Sequence, residues 1–254
     1  MVDEGDARRE RVALVTGAGS GMGAASARRL ADDHRALVLF DVRAEPLEAV
    51  ADDVREAGAE VETLVGDIAD PDDVSRVVRT SIERCGSLDV VVNAAGIAES
   101  TRFFDLTLDG WSRVLDVNLT GAFLVTQAAA GSMRDRGWGR IIHFSSTAGK
   151  TVSTLGGAHY TVSKHGVLGL VRAAAKELAP FGITVNAVCP GLIDTPMVQA
   201  FTTEDQRAAY ARSFPIERLG RAEEVADLVA FLAGDGAAYI TGAAVDINGG
   251  DLMV

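Results

Sequence analysis

Cysteine and histidine are scarce in this sequence. Its 254 residues include only two cysteines, Cys85 and Cys189, too few for the disulfide framework of a small secreted domain, and we expect both to be reduced structural thiols. None of the four histidines stands at a metal-ligand spacing from cysteines or carboxylates, so no metal site is predicted. These histidines are His34, His143, His159 and His165.

An excess of basic charge and long apolar runs are also lacking. Lysine and arginine number 24 against 36 aspartates and glutamates, which gives a net charge of -12. This charge repels phosphate backbones and anionic lipids, so we expect neither a nucleic-acid nor a membrane partner. No apolar run reaches the ~20 residues of a membrane span, and Met1 to Arg11 lacks the apolar core of a signal peptide. A cytoplasmic protein is therefore expected.

The sequence does contain a repeated alternation of short apolar runs and longer helical segments. The predicted strands are nearly continuous in apolar residues, which is typical of strands covered on both faces of a parallel sheet. They are Val12–Thr16, Ala36–Asp41, Glu60–Val65, Leu88–Asn93, Arg140–Ser145, Thr184–Cys189 and Ala243–Ile247. The predicted helices between them include Met22–Asp33, Ala44–Ala57, Pro71–Arg84, Leu108–Arg136 and Gly157–Ala179.

This alternation predicts an α/β fold with a doubly wound parallel sheet of the Rossmann type, about seven strands wide and covered by helices on both faces. The length alone would allow two domains. However, no linker rich in proline, glycine or serine divides the chain, so we predict that residues 1–254 form a single catalytic domain. Residues 195–218 interrupt the alternation with a polar, helical excursion at the carboxyl edge of the sheet, where substrate lids form.

A glycine-rich turn follows the first predicted strand. Gly17, Gly21 and Gly23 would let the backbone turn tightly and approach a pyrophosphate at the N-terminus of the next helix. Glycines alone would also fit an ordinary turn. Asp41, at the end of the second strand and 20 positions after Gly21, is well placed to accept hydrogen bonds from the adenosine ribose hydroxyls. Together these features predict a dinucleotide site.

The choice between NAD and NADP depends on the charge beside that ribose. Asp41 would repel the additional phosphate of NADP, and residues 18–22 carry no basic side chain that could bind it. Arg43 is a competing candidate for that role, although we interpret it as a solvated residue at a helix start. The sequence therefore favours NAD.

These motifs resemble, in order, those of the short-chain dehydrogenase/reductase family. The glycine turn is similar to the TGxxxGxG loop of that family, and the run from Asn93 to Gly96 is similar to its NNAG motif. Asp67-Ile68 resembles the pair of residues that contacts adenine. The resemblance covers about residues 11–250 and implies an oxidoreductase that forms a homotetramer. It also implies cofactor contacts by Gly17, Ser20, Gly21, Met22, Gly23, Asp41, Asp67, Ile68, Asn93, Ala94, Gly96, Tyr160, Lys164, Pro190, Gly191, Ile193 and Thr195.

Tyr160 and Lys164 stand four residues apart, on one face of a predicted helix. An unperturbed phenol has a pKa of about 10, which a neighbouring ammonium and the cationic nicotinamide ring would lower. Tyr160 would then exchange the hydroxyl proton of a substrate while hydride is transferred. The resemblance adds Ser146, which would bind the substrate oxygen, and Asn118, which would support a proton relay with the lysine. Ser145 remains a competing candidate for the role of Ser146.

The substrate is less constrained. The interval from Ser146 to Tyr160 is 14 residues, one longer than in many relatives, so the loop at residues 150–158 is expected to have a shape of its own. The predicted substrate contacts, small or apolar for the most part, indicate a neutral secondary alcohol or ketone; they are Ser146, Ala148, Leu155, Tyr160, Leu192 and Met197. Reduction of a 3-oxoacyl group on a carrier protein is the alternative reaction. A dinucleotide-binding sensor or scaffold without turnover is the alternative of another class.

Overall fold

The computed structural model describes residues 11–34 and 36–254. The expectation about a signal peptide concerns Met1 to Arg11, of which residues 1–10 lie outside the described residues. Within those two ranges, no helix combines the length and apolar character needed to cross a bilayer. Both cysteines are buried, as expected for structural thiols.

Seven parallel strands form one sheet. They are β1 (Val12–Thr16), β2 (Ala36–Asp41), β3 (Glu60–Val65), β4 (Val90–Asn93), β5 (Gly139–Phe144), β6 (Ile183–Pro190) and β7 (Ala244–Ile247). Their order across the sheet is β3-β2-β1-β4-β5-β6-β7. The predicted doubly wound α/β fold is confirmed. The strand order reverses between β1 and β4, and a crevice at the carboxyl ends of strands on either side of such a reversal is where ligands bind in this class of fold.

The inner strands are buried because an apolar layer covers each face of the sheet. Every residue of β1, β2, β4, β5 and β6 is buried, whereas the edge strands β3 and β7 are partly exposed. Leu14 and Val91 belong to the core on one face, and Val15 and Val92 to the core on the other. Successive residues of a strand point to opposite faces, so both must be apolar, which explains the continuous apolar runs in the sequence.

The α-helices of the described ranges connect and cover these strands. They are α1 (Gly21–Ala31), α2 (Ala44–Glu56), α3 (Pro71–Cys85), α4 (Leu108–Leu115), α5 (Gly121–Arg136), α6 (Ala158–Leu178), α7 (Pro196–Phe201), α8 (Glu204–Ser213) and α9 (Ala222–Ala233). The helical segment predicted over Leu108–Arg136 is helical throughout, but a π-helical turn at Asp116–Thr120 separates α4 from α5. Such turns occur frequently at functional sites, and this one contains Asn118.

Residues 195–218 form the predicted helical excursion. Thr195 caps α7, and Thr203 caps α8 in a reciprocal pair of hydrogen bonds with Gln206. The base of the excursion is closed, because Ile193 pairs with Gly220 and the Gly220 carbonyl accepts the N–H of Asp194 at 2.9 Å. The two helices therefore leave and rejoin the body of the protein at one place. Their role as a substrate lid stays a prediction.

Candidate active site

A cleft of about 550 Å³ opens at the carboxyl ends of β1, β2 and β4. Its walls contain eleven of the predicted cofactor residues, namely Gly17, Ser20, Gly21, Met22, Gly23, Asp41, Asp67, Ile68, Ala94, Gly96 and Thr195. The other six predicted cofactor residues do not line it; these are Asn93, Tyr160, Lys164, Pro190, Gly191 and Ile193. The structure thus brings most of the predicted set together in one groove.

The glycine turn allows two backbone segments to touch beneath this cleft. Gly17 has a positive φ of 64°, and a Cβ atom on it would lie 2.7 Å from the backbone nitrogen of Ala95. A Cβ atom on Gly23 would lie 2.1 Å from the carbonyl oxygen of Gly17. Only glycine fits these positions. The first turn of α1 carries no acidic residue, so its free N–H groups are suited to a pyrophosphate.

Asp41 is held firmly at the end of β2. One carboxylate oxygen accepts the N–H of Gly19 at 2.9 Å, and the other accepts the backbone N–H and the Nε–H of Arg43 at 3.0 and 3.3 Å. Arg43 also donates to the hydroxyl of Ser20 at 2.8 Å. Arg43 is the N-cap residue of α2 and its side chain is 53% exposed, as the interpretation of a solvated helix-start residue requires, but it also folds back onto Asp41 and lines the cleft.

Asn93 lies behind the cleft wall. Its amide oxygen accepts the hydroxyl of Thr16 at 2.6 Å, and its amide nitrogen lies 3.2 Å from Nδ1 of His143. The Thr16 hydroxyl in turn accepts the N–H of Ala95 at 3.3 Å. Asn93 thus supports the turn that forms the cleft wall and does not face the cleft itself.

The four predicted catalytic residues converge near the end of β5. Tyr160 lies in the first turn of α6, and the side chain of Ser146 is near enough to its hydroxyl to favour the phenolate. Lys164 lies one turn later, with Nζ 5.6 Å from the centre of the Tyr160 ring and 2.7 Å from the carbonyl oxygen of Phe144. A Cβ atom on Gly96 would lie 3.5 Å from that Nζ and 3.3 Å from Oδ1 of Asn118. Gly96 therefore lies next to both the lysine and the asparagine, and a side chain there would crowd the Asn118 amide.

Asn118 is fixed by the π turn. Its amide accepts the N–H of Ile97 at 2.8 Å and donates to the carbonyl oxygen of Ile97 at 2.9 Å and to the hydroxyl of Ser163 at 3.1 Å. It therefore anchors the segment that follows the cleft wall. Ser145, the competing candidate for Ser146, instead donates to the carbonyl oxygen of Lys164 at 2.9 Å, which is a structural bond within the core.

Burial governs the ionisation of both central groups. It raises the pKa of Tyr160, and the hydrogen bond from Ser146 opposes that effect. Burial also lowers the pKa of Lys164 to about 8. The sequence predicted a tyrosine pKa lowered by the lysine together with the cationic nicotinamide ring of a bound cofactor, and for that bound state it stays a prediction. In the protein without cofactor the pKa of Tyr160 is raised, because the loss of solvation destabilises the phenolate more than the surrounding groups stabilise it.

The loop between Ser146 and Tyr160 is anchored on two sides. Lys150 donates to Asp246 at 2.7 Å and to the carbonyl oxygen of Ala244 at 2.9 Å, both on β7. The N–H of Ser153 donates to the hydroxyl of Thr161 at 3.1 Å, and the Ser153 hydroxyl accepts the N–H of Gly156. The additional residue is thus accommodated in an ordered loop.

The predicted substrate residues are less closely grouped. Ala148 is buried beneath the loop, whereas Leu155 and Leu192 are partly exposed. Met197, on α7, is 41% exposed and lines the cofactor cleft together with Phe201. Helix α7 therefore overhangs the cleft.

Several cleft residues were missed by the sequence reasoning. Phe40 and Val42 flank Asp41, and Arg113 and Val117 lie one turn apart before Asn118. The only sequence feature that could have identified these cleft residues is their position next to predicted site residues. Among the described residues, no group of three or more histidines, cysteines and carboxylates is placed to hold a metal ion.

Comparisons with known proteins agree with this geometry. A family model described as enoyl-(acyl carrier protein) reductase matches residues 17–251. The cis-4-hydroxycyclohexanecarboxylate dehydrogenase of Sinomonas cyclohexanicum is 43% identical over 247 residues, 97% of this chain and 98% of that protein. A 3-oxoacyl-(acyl-carrier-protein) reductase of Synechocystis sp. is 38% identical over 245 residues, 96% and 97% of the two chains.

A solved structure of levodione reductase superimposes with a TM-score of 0.89 at 36% identity, and the match covers 95% of this chain and 97% of that one. The relatives and the structure each extend over nearly the whole chain. The chain belongs to the short-chain dehydrogenase/reductase family and is an oxidoreductase that acts on secondary alcohol and ketone groups.

Proposed function

We propose that this protein interconverts a neutral, alicyclic secondary alcohol and its ketone with NAD as the hydride carrier. The observation that carries the proposal is the placement of the Tyr160 phenol beside the Ser146 side chain, with the Lys164 ammonium one helical turn away. These groups suit the proton half of the reaction. When bound, nicotinamide dinucleotide supplies the hydride half.

Each of these side chains has a defined task in this proposal. Ser146 donates a hydrogen bond to the substrate oxygen, an interaction that strengthens as negative charge develops there. Tyr160 removes the hydroxyl proton in oxidation and returns it in reduction. Lys164 binds the nicotinamide ribose and stabilises the phenolate through its charge. Asn118 keeps the segment around Ile97 in place beside them.

The preference for NAD is supported by the environment of Asp41. Its carboxylate accepts three N–H groups, which leaves acceptor capacity for a ribose hydroxyl. A phosphate on that ribose would meet a like charge. Arg43 would favour the phosphate only if its guanidinium left Asp41 and Ser20, to which it is bonded.

An alicyclic substrate is supported by the relatives and by the predicted pocket. One relative is a cis-4-hydroxycyclohexanecarboxylate dehydrogenase, whose name supports a hydroxylated ring but includes a carboxylate that the proposed neutral substrate lacks. Ala148, Leu155, Leu192 and Met197 offer small or apolar contacts to a ring. The second candidate function, reduction of a 3-oxoacyl group on a carrier protein, is favoured by the relative from Synechocystis sp..

We also infer a homotetramer, as the family resemblance implies. It is supported by exposed apolar side chains on α5 and α6, where Phe123 is 45% and Val162 is 43% exposed. Such residues are candidates for burial between subunits.

The reduced-nicotinamide absorbance band tests the proposed function. The protein is mixed with NAD or NADP and a panel of cyclic and acyclic secondary alcohols, and the reverse reaction is run with cyclic ketones and a 3-oxoacyl thioester. Cyclic substrates with NAD should give the highest kcat/KM. A roughly tenfold preference for NADP, or for the thioester, would contradict the proposal.

Tyr160→Phe tests the catalytic assignment in the same assay. Turnover should fall by at least about 10²-fold, since the proton donor and acceptor is removed, while NAD still binds. Tyr239→Phe is the matched control because Tyr239 is fully exposed. Turnover near the wild-type value in Tyr160→Phe would disprove the assignment.

A further inference from the structure

His159 lies directly before Tyr160 and takes no part in the mechanism above. Its side chain is fully buried (0% exposed). The Nδ1 atom accepts the backbone N–H of Tyr160 at 2.9 Å. The Nε2 atom is also buried, and no described residue lies within hydrogen-bond distance of it. Buried polar atoms of this kind are rare and require an explanation.

The bond to Tyr160 determines which nitrogen of His159 carries the proton. Because Nδ1 acts as the acceptor, the neutral imidazole carries its hydrogen on Nε2. The nearest carboxylate oxygen is Oε2 of Glu99, 3.8 Å away. Glu99 is 38% exposed and has room to move, whereas the imidazole is enclosed. A small rotation of Glu99 would therefore complete the hydrogen bond.

Tyr160 is partly exposed, but the two glycines that precede α6 pack closely against its surroundings. The carbonyl oxygen of Glu99 accepts the N–H of Gly157 at 2.7 Å. A Cβ atom on Gly157 would lie 2.7 Å from the carbonyl oxygen of Thr101, and one on Gly156 would lie 2.7 Å from the Tyr160 ring. We call residues 99–101 and 156–159 the tyrosine collar. Because it contacts the ring directly, a shift of the collar moves the phenol.

The tyrosine collar is tied to the opposite side of the site as well. Asn118 holds both backbone groups of Ile97, two residues before Glu99. At the other end, the residue before α6, Gly157, provides no side-chain cap. The first N–H groups of a helix need acceptors from outside the helical pattern. His159 supplies one for Tyr160, and so fixes the turn from which the phenol projects.

We propose that His159, oriented by Glu99, is a positioning residue for the Tyr160 phenol. The inference rests on the proposed function, since the place of the phenol matters for turnover only if Tyr160 transfers the proton. His159 does not line the cofactor cleft. Its loss should therefore reduce proton transfer and leave dinucleotide binding almost unchanged.

Three substitutions of His159 distinguish the role of its Nδ1 atom from that of its Nε2 atom. Asparagine in His159→Asn places an oxygen near the Nδ1 position and keeps an acceptor for the Tyr160 N–H. Glutamine in His159→Gln reaches the Nε2 position and removes that acceptor, and His159→Phe fills the volume with neither. His165→Phe is the matched control, because His165 lies on the same helix, is exposed and bonds the carbonyl oxygen of Thr161.

The expected result is a lower kcat with unchanged binding of substrate and NAD. His159→Phe and His159→Gln should lower kcat by roughly tenfold to a hundredfold, as for a small displacement of a reacting group, with NAD affinity and KM close to wild type. His159→Asn should recover most of the activity. Glu99→Ala should lower kcat by a smaller factor, and Glu99→Gln, which keeps an acceptor, should not.

Hydrogen exchange of the Tyr160 amide gives a readout independent of turnover. Exchange should accelerate in His159→Phe and His159→Gln, and stay slow in His159→Asn and in the control. Wild-type kcat in both His159→Phe and His159→Gln would overturn the inference, and so would equal losses of kcat in all three variants. Absence of wild-type turnover with every substrate would refute the proposed function, while the exchange rates would still decide whether His159 fixes this turn.

Discussion

Acidification should weaken the fold through His143, a residue of β5 with no solvent exposure. The Thr126 hydroxyl donates to the carbonyl oxygen of Ala122 at 2.7 Å and must therefore accept from Nε2 of His143, 2.9 Å away. Nδ1 then accepts from the amide of Asn93 at 3.2 Å. Both ring nitrogens are satisfied in the neutral form, and a second ring proton would face the donor group of Asn93.

The magnitude follows from the two pKa values. Burial, and then the charge of Lys164, lower the pKa of His143 from 6.5 to about 4 in the folded protein. Between these values the unfolded chain binds the proton and the folded protein does not, so the free energy of unfolding falls as the pH falls. At about 1.4 kcal/mol per pKa unit, the loss is about 2 kcal/mol at pH 5 and about 3 kcal/mol at pH 4. A domain is stable by only about 5–15 kcal/mol in total.

Urea unfolding of the wild type and of His143→Gln, from pH 7.5 to pH 4.5 at one protein concentration, measures this contribution. Glutamine keeps a polar amide in the core but does not titrate. The wild type should lose about 2.5 kcal/mol more than the variant over this range. The other titrating groups are common to both proteins and cancel in the difference. Parallel losses in the two proteins would refute the reasoning.

Two further predictions concern the cofactor cleft. Asp41→Ala leaves the Gly19 N–H without its acceptor and releases Arg43. The ratio of kcat/KM with NAD to kcat/KM with NADP should therefore fall by roughly tenfold or more. An unchanged ratio in steady-state kinetics would contradict the role of Asp41. Gly23→Ala places a methyl group against the Gly17 carbonyl oxygen, 2.1 Å away, and should raise the NAD Kd by at least about tenfold in calorimetry. Gly131→Ala, in the interior of α5 with no atom near the new methyl group, is its control and should retain wild-type affinity.

Much of the fold was predictable because its signals are local. The bounds of β1, β2 and β3 agree with the prediction, since each is a short run ended by a turn. The glycine turn was recognisable because Gly17 and Gly23 occupy positions that no side chain can share. Where neighbouring residues in sequence decide the conformation, the sequence alone was sufficient.

The features that the sequence did not reveal depend on contacts between distant segments. The run Asp116–Thr120 contains no helix-breaking residue, and its π turn is accompanied by the bonds of Asn118 to Ile97, 21 residues earlier. The side chain of Arg43 was free to point to solvent until Ser20 and Asp41 were placed beside it. The pKa of Tyr160 was predicted from its charged neighbour, whereas burial has the larger effect.

The two pKa shifts at the centre of the site bear differently on the two directions of the proposed reaction. A neutral phenol is the form that donates a proton to a ketone oxygen, so burial of Tyr160 favours the state required for reduction. Oxidation requires the phenolate, which only positive charge nearby can stabilise. Lys164 provides one such charge, but its own pKa of about 8 means that the charge is lost as the pH rises above that value. In the proposed function, Lys164 and the oxidised nicotinamide ring would together stabilise the phenolate, and above about pH 8 the contribution of Lys164 would decline.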